Sequence, residues 1–267
     1  MAKAAATATY AYCVVASTAR PHVKRHLAGL PGMGPVRLLD VDRGLVLAVA
    51  DAPLDRYGEA AINRGLSDLD WVSRVAVAHE AVVESFIAEA AVLPMKLFTI
   101  FTSDERALAY VRGEGPRIRA AARRVANQHE WGVRVILDRA RAVSARTSTK
   151  RAAGGPASAR TGPSGIAYLT RKKAQRDANT ELAQHARDTV AALHDRLAAR
   201  SSAAKRKAAG DLPMERGPLL LDAAFLVPRS RAKAFQSLVA REAKSLARHG
   251  YGLTLTGPWP PYSFVQD

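Results

Sequence analysis

Several groups of residues in this chain of 267 have the types and spacing for chemistry or binding. His79-Glu80 opens like the HExxH helix of a metalloprotease, where two histidines one turn apart hold zinc and the glutamate activates water. The fifth position here is Val83, so the second ligand is missing and the zinc reading fails. His79 instead shares a stripe with Val75, Val82 and Phe86, which favours a core or interface histidine. His22 and His26 are four apart, a spacing that suits a shared metal on one helix turn. Lys24 and Arg25 between them repel a cation, and no acidic third ligand is close. The glycines of GLPGMGP (29–35) lack the Gly-Lys-Ser/Thr of a phosphate loop, and prolines interrupt them, so a plain loop is expected. There is no G-x-S-x-G elbow, and the single cysteine, Cys13, has no histidine near it in sequence. These patterns point to no enzyme, no cofactor and no metal.

Two further groups suit binding. Arg171-Lys172-Lys173, Arg176 and Lys205-Arg206-Lys207 could track phosphates. Aromatic residues for base stacking are not interleaved there, so a solvated helix face is favoured and the balance is against nucleic acid. The tail GPWPPYSF differs in kind. Its prolines fix φ and lower the entropy of the free segment, and Trp259, Tyr262 and Phe264 offer large rings on that stiff rod. A strap packed on the protein's own core is preferred to a free recognition segment.

Composition bounds the setting. The chain is 48% hydrophobic, only 6% aromatic, and carries a net charge of +16. That suits one large or two medium domains. One cysteine allows no internal disulfide, and a reducing cytoplasm is the natural home. No window approaches the 18 or so apolar residues needed to span a bilayer, and the alternating N-terminus does not read as a secretory signal. Residues 139–210 hold sixteen Lys/Arg against four Asp/Glu, about three quarters of the net charge. The excess is regional.

The elements that must position these groups follow from periodicity and punctuation. Tyr10–Val15 alternates as a strand. Val36–Val41 and Leu45–Ala50 form a hairpin about Asp42-Arg43-Gly44. Pro53–Leu66 suits a short helix. The central element is an amphipathic helix capped by Asp70 or Ser67, expected to run until Pro94 ends it, with a strand at Leu97–Phe101. Ser103 caps a further helix, Pro116 opens another, and Trp131, Val133, Val135 and Leu137 alternate as a half-buried strand. Residues 139–163 carry no acid and little apolar bulk, and read as a flexible basic linker. Then come a long helix capped by Ser164, a basic hinge at SSAAKRKAAG, a strand at Leu219–Val227, a helix capped by Ser230, a strand at Tyr251–Thr256 and the tail. The expected class is α+β, with a domain over 1–138, a linker over 139–163, and a smaller α+β domain over 164–267 whose tail is 257–267. A ferredoxin-like arrangement is the simplest fit to the first.

In combination these pieces resemble the GvpL/GvpF gas-vesicle accessory proteins. The resemblance is carried by Tyr10 and Tyr12, by Trp71 with His79-Glu80, and by Val92-Leu93-Pro94-Met95-Lys96 leading to Thr99 and Phe101. It continues through Glu130-Trp131, Tyr168-Leu169 with Arg171-Lys172-Lys173, Phe225-Leu226-Val227-Pro228, and the terminal Gly257–Phe264 run with Trp259, Pro260 and Tyr262. Where the family usually has Arg-Phe-Gly-Thr after the proline, this chain has Lys96-Leu97-Phe98-Thr99. The resemblance implies two α+β domains, the first a modified ferredoxin-like fold. It also implies a non-enzymatic, chaperone-like role in gas vesicle assembly. The implied partners are the hydrophobic major shell protein and other accessory proteins, met in the cytoplasm and at the gas vesicle. The family-motif residues Trp71, His79, Glu80, Pro94, Lys96, Glu130, Trp131, Arg171, Lys172, Trp259, Pro260 and Tyr262 are the candidate partner-binding positions.

Overall fold

The computed structural model of the chain describes residues 6–23, 27–42, 44–138, 165–207 and 217–265. The chain forms two compact units, Met1–Glu130 with Pro258–Asp267, and Trp131–Gly257.

The first unit is built on β1 (Thr7–Ala16), whose residues from Ala8 to Val15 are buried throughout. A strand covered on both faces needs an unbroken apolar run, and TYAYCVVA supplies one. β3 (Leu45–Pro53) pairs with it antiparallel from Thr7↔Pro53 to Ala16↔Leu45, with a bulge between Ala11 and Cys13. β2 (Arg37–Asp42) closes the expected hairpin onto β3, and Gly44 in the turn has φ +75°. β4 (Ala91–Pro94) lies on the other side of β1, antiparallel from Cys13↔Pro94 to Ala16↔Ala91. The strand order is β2-β3-β1-β4, and the two-residue β5 (Ile100–Phe101) also pairs with β1.

Two short helices, α1 (Leu54–Tyr57) and α2 (Glu59–Gly65), lead to α3 (Leu69–Glu84). The cap of α3 is Asp68, whose carboxylate accepts from the amides of Asp70 (2.9 Å) and Trp71 (3.1 Å). Asp70 sits inside the first turn, where it favours the macrodipole. α3 presents Val75, His79, Val82 and Val83 to the core, and each buried valine stabilises by about 1.5–3 kcal/mol. The helix does not reach Pro94. It stops at Ser85, whose hydroxyl donates to the Val82 carbonyl (2.6 Å), and the chain turns so that Ala91–Pro94 can pair with β1. Residues 97–101, expected as one strand, form a turn followed by β5. α4 (Asp104–Gly113), capped by Ser103 as expected, and α5 (Gly115–Val125), opened by Pro116, complete this unit with the tail.

The second unit takes most of β6 (Gln128–Leu137), then α6 (Gly165–Ala198), β7 (Ala203–Arg206), β8 (Leu219–Pro228), α7 (Ala232–Ala247) and most of β9 (Tyr251–Trp259). Its strand order is β7-β8-β6-β9. Trp131, Val133, Val135 and Leu137 of β6 meet Leu193 and Leu197 of α6, Phe225 and Val227 of β8, and Phe235 of α7 in an apolar core.

Three expectations change. The strand 131–137 belongs to the second sheet, so the division does not fall at residue 138. The segment read as a basic hinge is strand β7, paired antiparallel with β8 from Ala203↔Leu226 to Arg206↔Ala223. The tail belongs to the first unit and not the second. α7 carries no side-chain cap from Ser230; a 3₁₀ turn, Arg229–Arg231, leads into it. Ser164, the basic segment 139–163 and His26 lie outside the described residues.

Candidate functional site

The tail holds the polar centre of the first unit. Glu130, at the start of β6, is 4% exposed and accepts two hydrogen bonds from Ser263, one from its amide and one from its hydroxyl, both 2.7 Å. Arg124, near the end of α5, donates through Nε (3.1 Å) and Nη2 (2.8 Å) to the Phe264 carbonyl. Charge-assisted bonds of this kind are the stronger class. A single turn, α8 (Tyr262–Val265), buries Phe264, and Pro260 and Pro261 are buried beside it. The Tyr262 hydroxyl faces Glu80 of α3. Burial, with the negative charges of Glu84 and Glu130 close by, pushes the Glu80 carboxyl up, and the nearby Tyr262 hydroxyl opposes this. Burial and the Glu80 carboxylate push the Tyr262 hydroxyl up as well. The strap reading therefore describes the tail, and the structure brings Glu80, Glu130, Pro260 and Tyr262 together.

Next to Glu80 on α3, His79 shares a 2.8 Å hydrogen bond with the Tyr10 hydroxyl and packs on the rings of Tyr10 and Tyr12. Burial lowers its pKa to about 4, with a weaker opposing contact from the Met95 backbone. A neutral, enclosed imidazole at neutral pH is a core histidine. Trp71 lies flat on Phe98, with centroids 5.6 Å apart and planes 8° apart. A Cβ on Gly65 would meet the Trp71 ring at 2.6 Å, so glycine there lets the ring sit against the backbone. Phe98 has φ +64°, the left-handed region that glycine enters freely. Its amide donates to the Tyr10 hydroxyl (3.3 Å).

Pro94 and Lys96 line a cleft of about 380 Å³ with Met95, Tyr110, Arg117 and Val265. Its lining mixes apolar Leu93, Ile118 and Ala121 with Glu114 and Arg117, which pair at 3.4 Å. Such a cleft can seat apolar side chains. Trp131 is placed elsewhere, in the second unit's core against Phe235. Lys172 is exposed on α6, near the Tyr168 ring, and the side chain of Arg171 lies outside those described. Trp259, at the end of β9, is 36% exposed. Arg124 was not singled out by sequence, and the bonding of Ser263 and Tyr10 could not be read there, because these bonds reach residues 69 to 140 positions away. Among the described residues no group of three His, Cys, Asp or Glu is placed to hold a metal ion, and no helix is long and apolar enough to cross a membrane.

A family model described as gas vesicle synthesis protein GvpL/GvpF matches residues 8–266. The chain belongs to the GvpL/GvpF family. Gas vesicle protein L of Streptomyces sp. (strain CB03234) is 31% identical over 242 residues, covering 89% of this chain and 86% of that protein. Gas vesicle protein F of the same strain is 25% identical over 259 residues, covering 97% and 99%. Crystal structures of GvpF from Anabaena sp. PCC7120 (TM-score 0.66, 14% identity, 98% and 97% covered) and from Microcystis aeruginosa (0.65, 15%, 97% and 99%) have the same α+β fold. The GvpL/GvpF match thus spans both units and the tail.

Proposed function

We propose that this chain is a non-enzymatic gas vesicle assembly protein. It binds the hydrophobic major shell protein and other accessory proteins, limits aggregation or aids nucleation of the shell, and stays as a minor shell component. The observation that carries the reading is the family match over residues 8–266. Apolar side chains exposed on the first unit support it: Leu66, Leu69 and Val77 are 51%, 82% and 66% exposed. Groups of that kind mark interaction surfaces. The strand order β2-β3-β1-β4, antiparallel at each step, supports reading the first unit as a modified ferredoxin-like fold. Among the family-motif residues, Glu130 fastens the tail, and Pro94 and Lys96 border the cleft.

Co-expression with the shell protein tests the reading. The shell protein's soluble fraction is expected to rise, and the two are expected to co-purify; no rise together with no co-purification would remove the reading. A second reading rests on the exposed cations Lys172, Lys173 and Arg176 of α6, which suit a polyanion such as nucleic acid. Salt separates the two, since phosphate binding weakens steeply as salt is added and apolar capture hardly responds.

A further inference from the structure

Each sheet has two outer strands, and unpaired edges invite another chain to add a strand. Three of the four edges are guarded. On β2, Arg112 donates to the Val41 carbonyl (3.0 Å) and Arg20 to the Leu38 carbonyl (3.3 Å), while Arg37, Asp40 and Asp42 are all ion-paired. β4 has only four residues and packs against α5 and α8. β7 also has four, and ends in exposed Lys205 and Arg206.

β9 has none of these protections. It runs for nine residues, YGLTLTGPW, without a charged side chain. Its inner side is committed to β6. Asp138 donates to the Gly250 carbonyl (2.9 Å), a Cβ on Gly252 would meet Ile136, and one on Gly132 would meet Thr256. The numbers fall on one strand as they rise on the other, so the pair is antiparallel. Residues in such a ladder alternate between bonding the neighbour and pointing away. Bonding at Gly250 therefore turns the amides and carbonyls of Tyr251, Leu253 and Leu255 outward, where no further backbone partner meets them among the described residues. Leu253 and Leu255 pack half-buried on the core, and Thr254 and Thr256 are exposed on the other face. An added strand would find an apolar row on one face and a hydroxyl row on the other. Arg248 is exposed just before the strand, and Arg241 and Lys244 are exposed on the helix leading to it.

We propose that the outer edge of β9 receives an extended, uncharged strand, bordered by acidic residues, from a second protein. The inference rests on the protein-holding reading above and names where the holding takes place. A second copy of this chain is disfavoured as the occupant, because two molecules of +16 repel. Acidic residues beside the incoming strand match Arg248 and its neighbours.

The test uses the full chain co-expressed with the vesicle shell protein. A photo-cross-linking residue at Thr254 should capture the shell subunit, and the same residue at Asp40 on the guarded β2 edge should not. Leu255→Pro removes an outward amide at a position where an edge strand tolerates proline, and should weaken retention of the shell subunit about tenfold. Arg248→Glu, remote from the core, should weaken it several-fold. If the wild-type chain retains the shell subunit while Thr254 cross-links nothing, or only a second copy, the edge assignment is wrong and the protein-holding reading stands. If the wild-type chain retains no shell subunit, the reading itself falls and the edge assignment with it.

Discussion

Numbered within its own unit, each sheet follows one strand order: second, third, first, fourth. The two units nevertheless fill that plan differently. The second spans the gap between its first two strands with α6, a 34-residue helix, and closes over a core of Trp131, Phe225 and Phe235 with aliphatic neighbours. The first spans the same gap with residues 17–36, among which the described ones form no helix. It buries tyrosines and a histidine and finishes its core with the tail. Both positive-φ residues other than glycine, Phe98 and Asn127, are in the first unit. One topology thus supports a uniform core and a polar, locally strained one, so the chemistry of an interior is not fixed by strand order.

The comparison can be broken most sharply in the second core. Phe225→Ala removes a fully buried ring and should cost about 3–5 kcal/mol. Hydrogen exchange should show lost protection in β8 while β1 amides keep theirs; an equal loss in β1 would mean that the two cores unfold as one. Acid should strike the other unit. Folded His79 titrates at about 4, below the ordinary 6.5, so the unfolded chain takes up the proton first. The stabilisation is complete above pH 6.5 and is lost as pH falls towards 4, amounting to about 3 kcal/mol. Denaturation midpoints measured across that range should drop, and a His79→Phe chain should show a shallower slope. The smallest effect sharpens the point about strain. Phe98→Ala and Phe98→Gly both lose the Trp71 stack, but only glycine relaxes the left-handed backbone. Glycine should be the more stable of the two by about 1 kcal/mol, a reversal of the usual order that thermal melts would detect.

Legibility in the sequence follows the same division. The β2–β3 hairpin, the cap at Ser103, and the alternation of Trp131 to Leu137 were readable because local chemistry and final structure agree there. β7 was not: Ala-Ala-Lys-Arg has no strand preference of its own, and pairing with β8 imposes one. The end of α3 was misplaced because residues after Glu84 suit a helix, whereas β1 recruits Ala91–Pro94 into the sheet. Of the site, the tail's stiffness and its role as a strap could be seen. Its fastening to Glu130 and Arg124 could not, since those bonds join residues more than 130 positions apart.

That fastening has a consequence for biosynthesis. The strap residues leave the ribosome long after the sheet of the first unit, whose strands β1 to β5 end at Phe101. During translation, the pocket for Phe264 and the carboxylate of Glu130 must wait, unfilled, until the whole of the second unit has been made. A nascent chain cut short anywhere after residue 130 therefore exposes an unfinished interior, which marks it for quality control even when its second unit has folded.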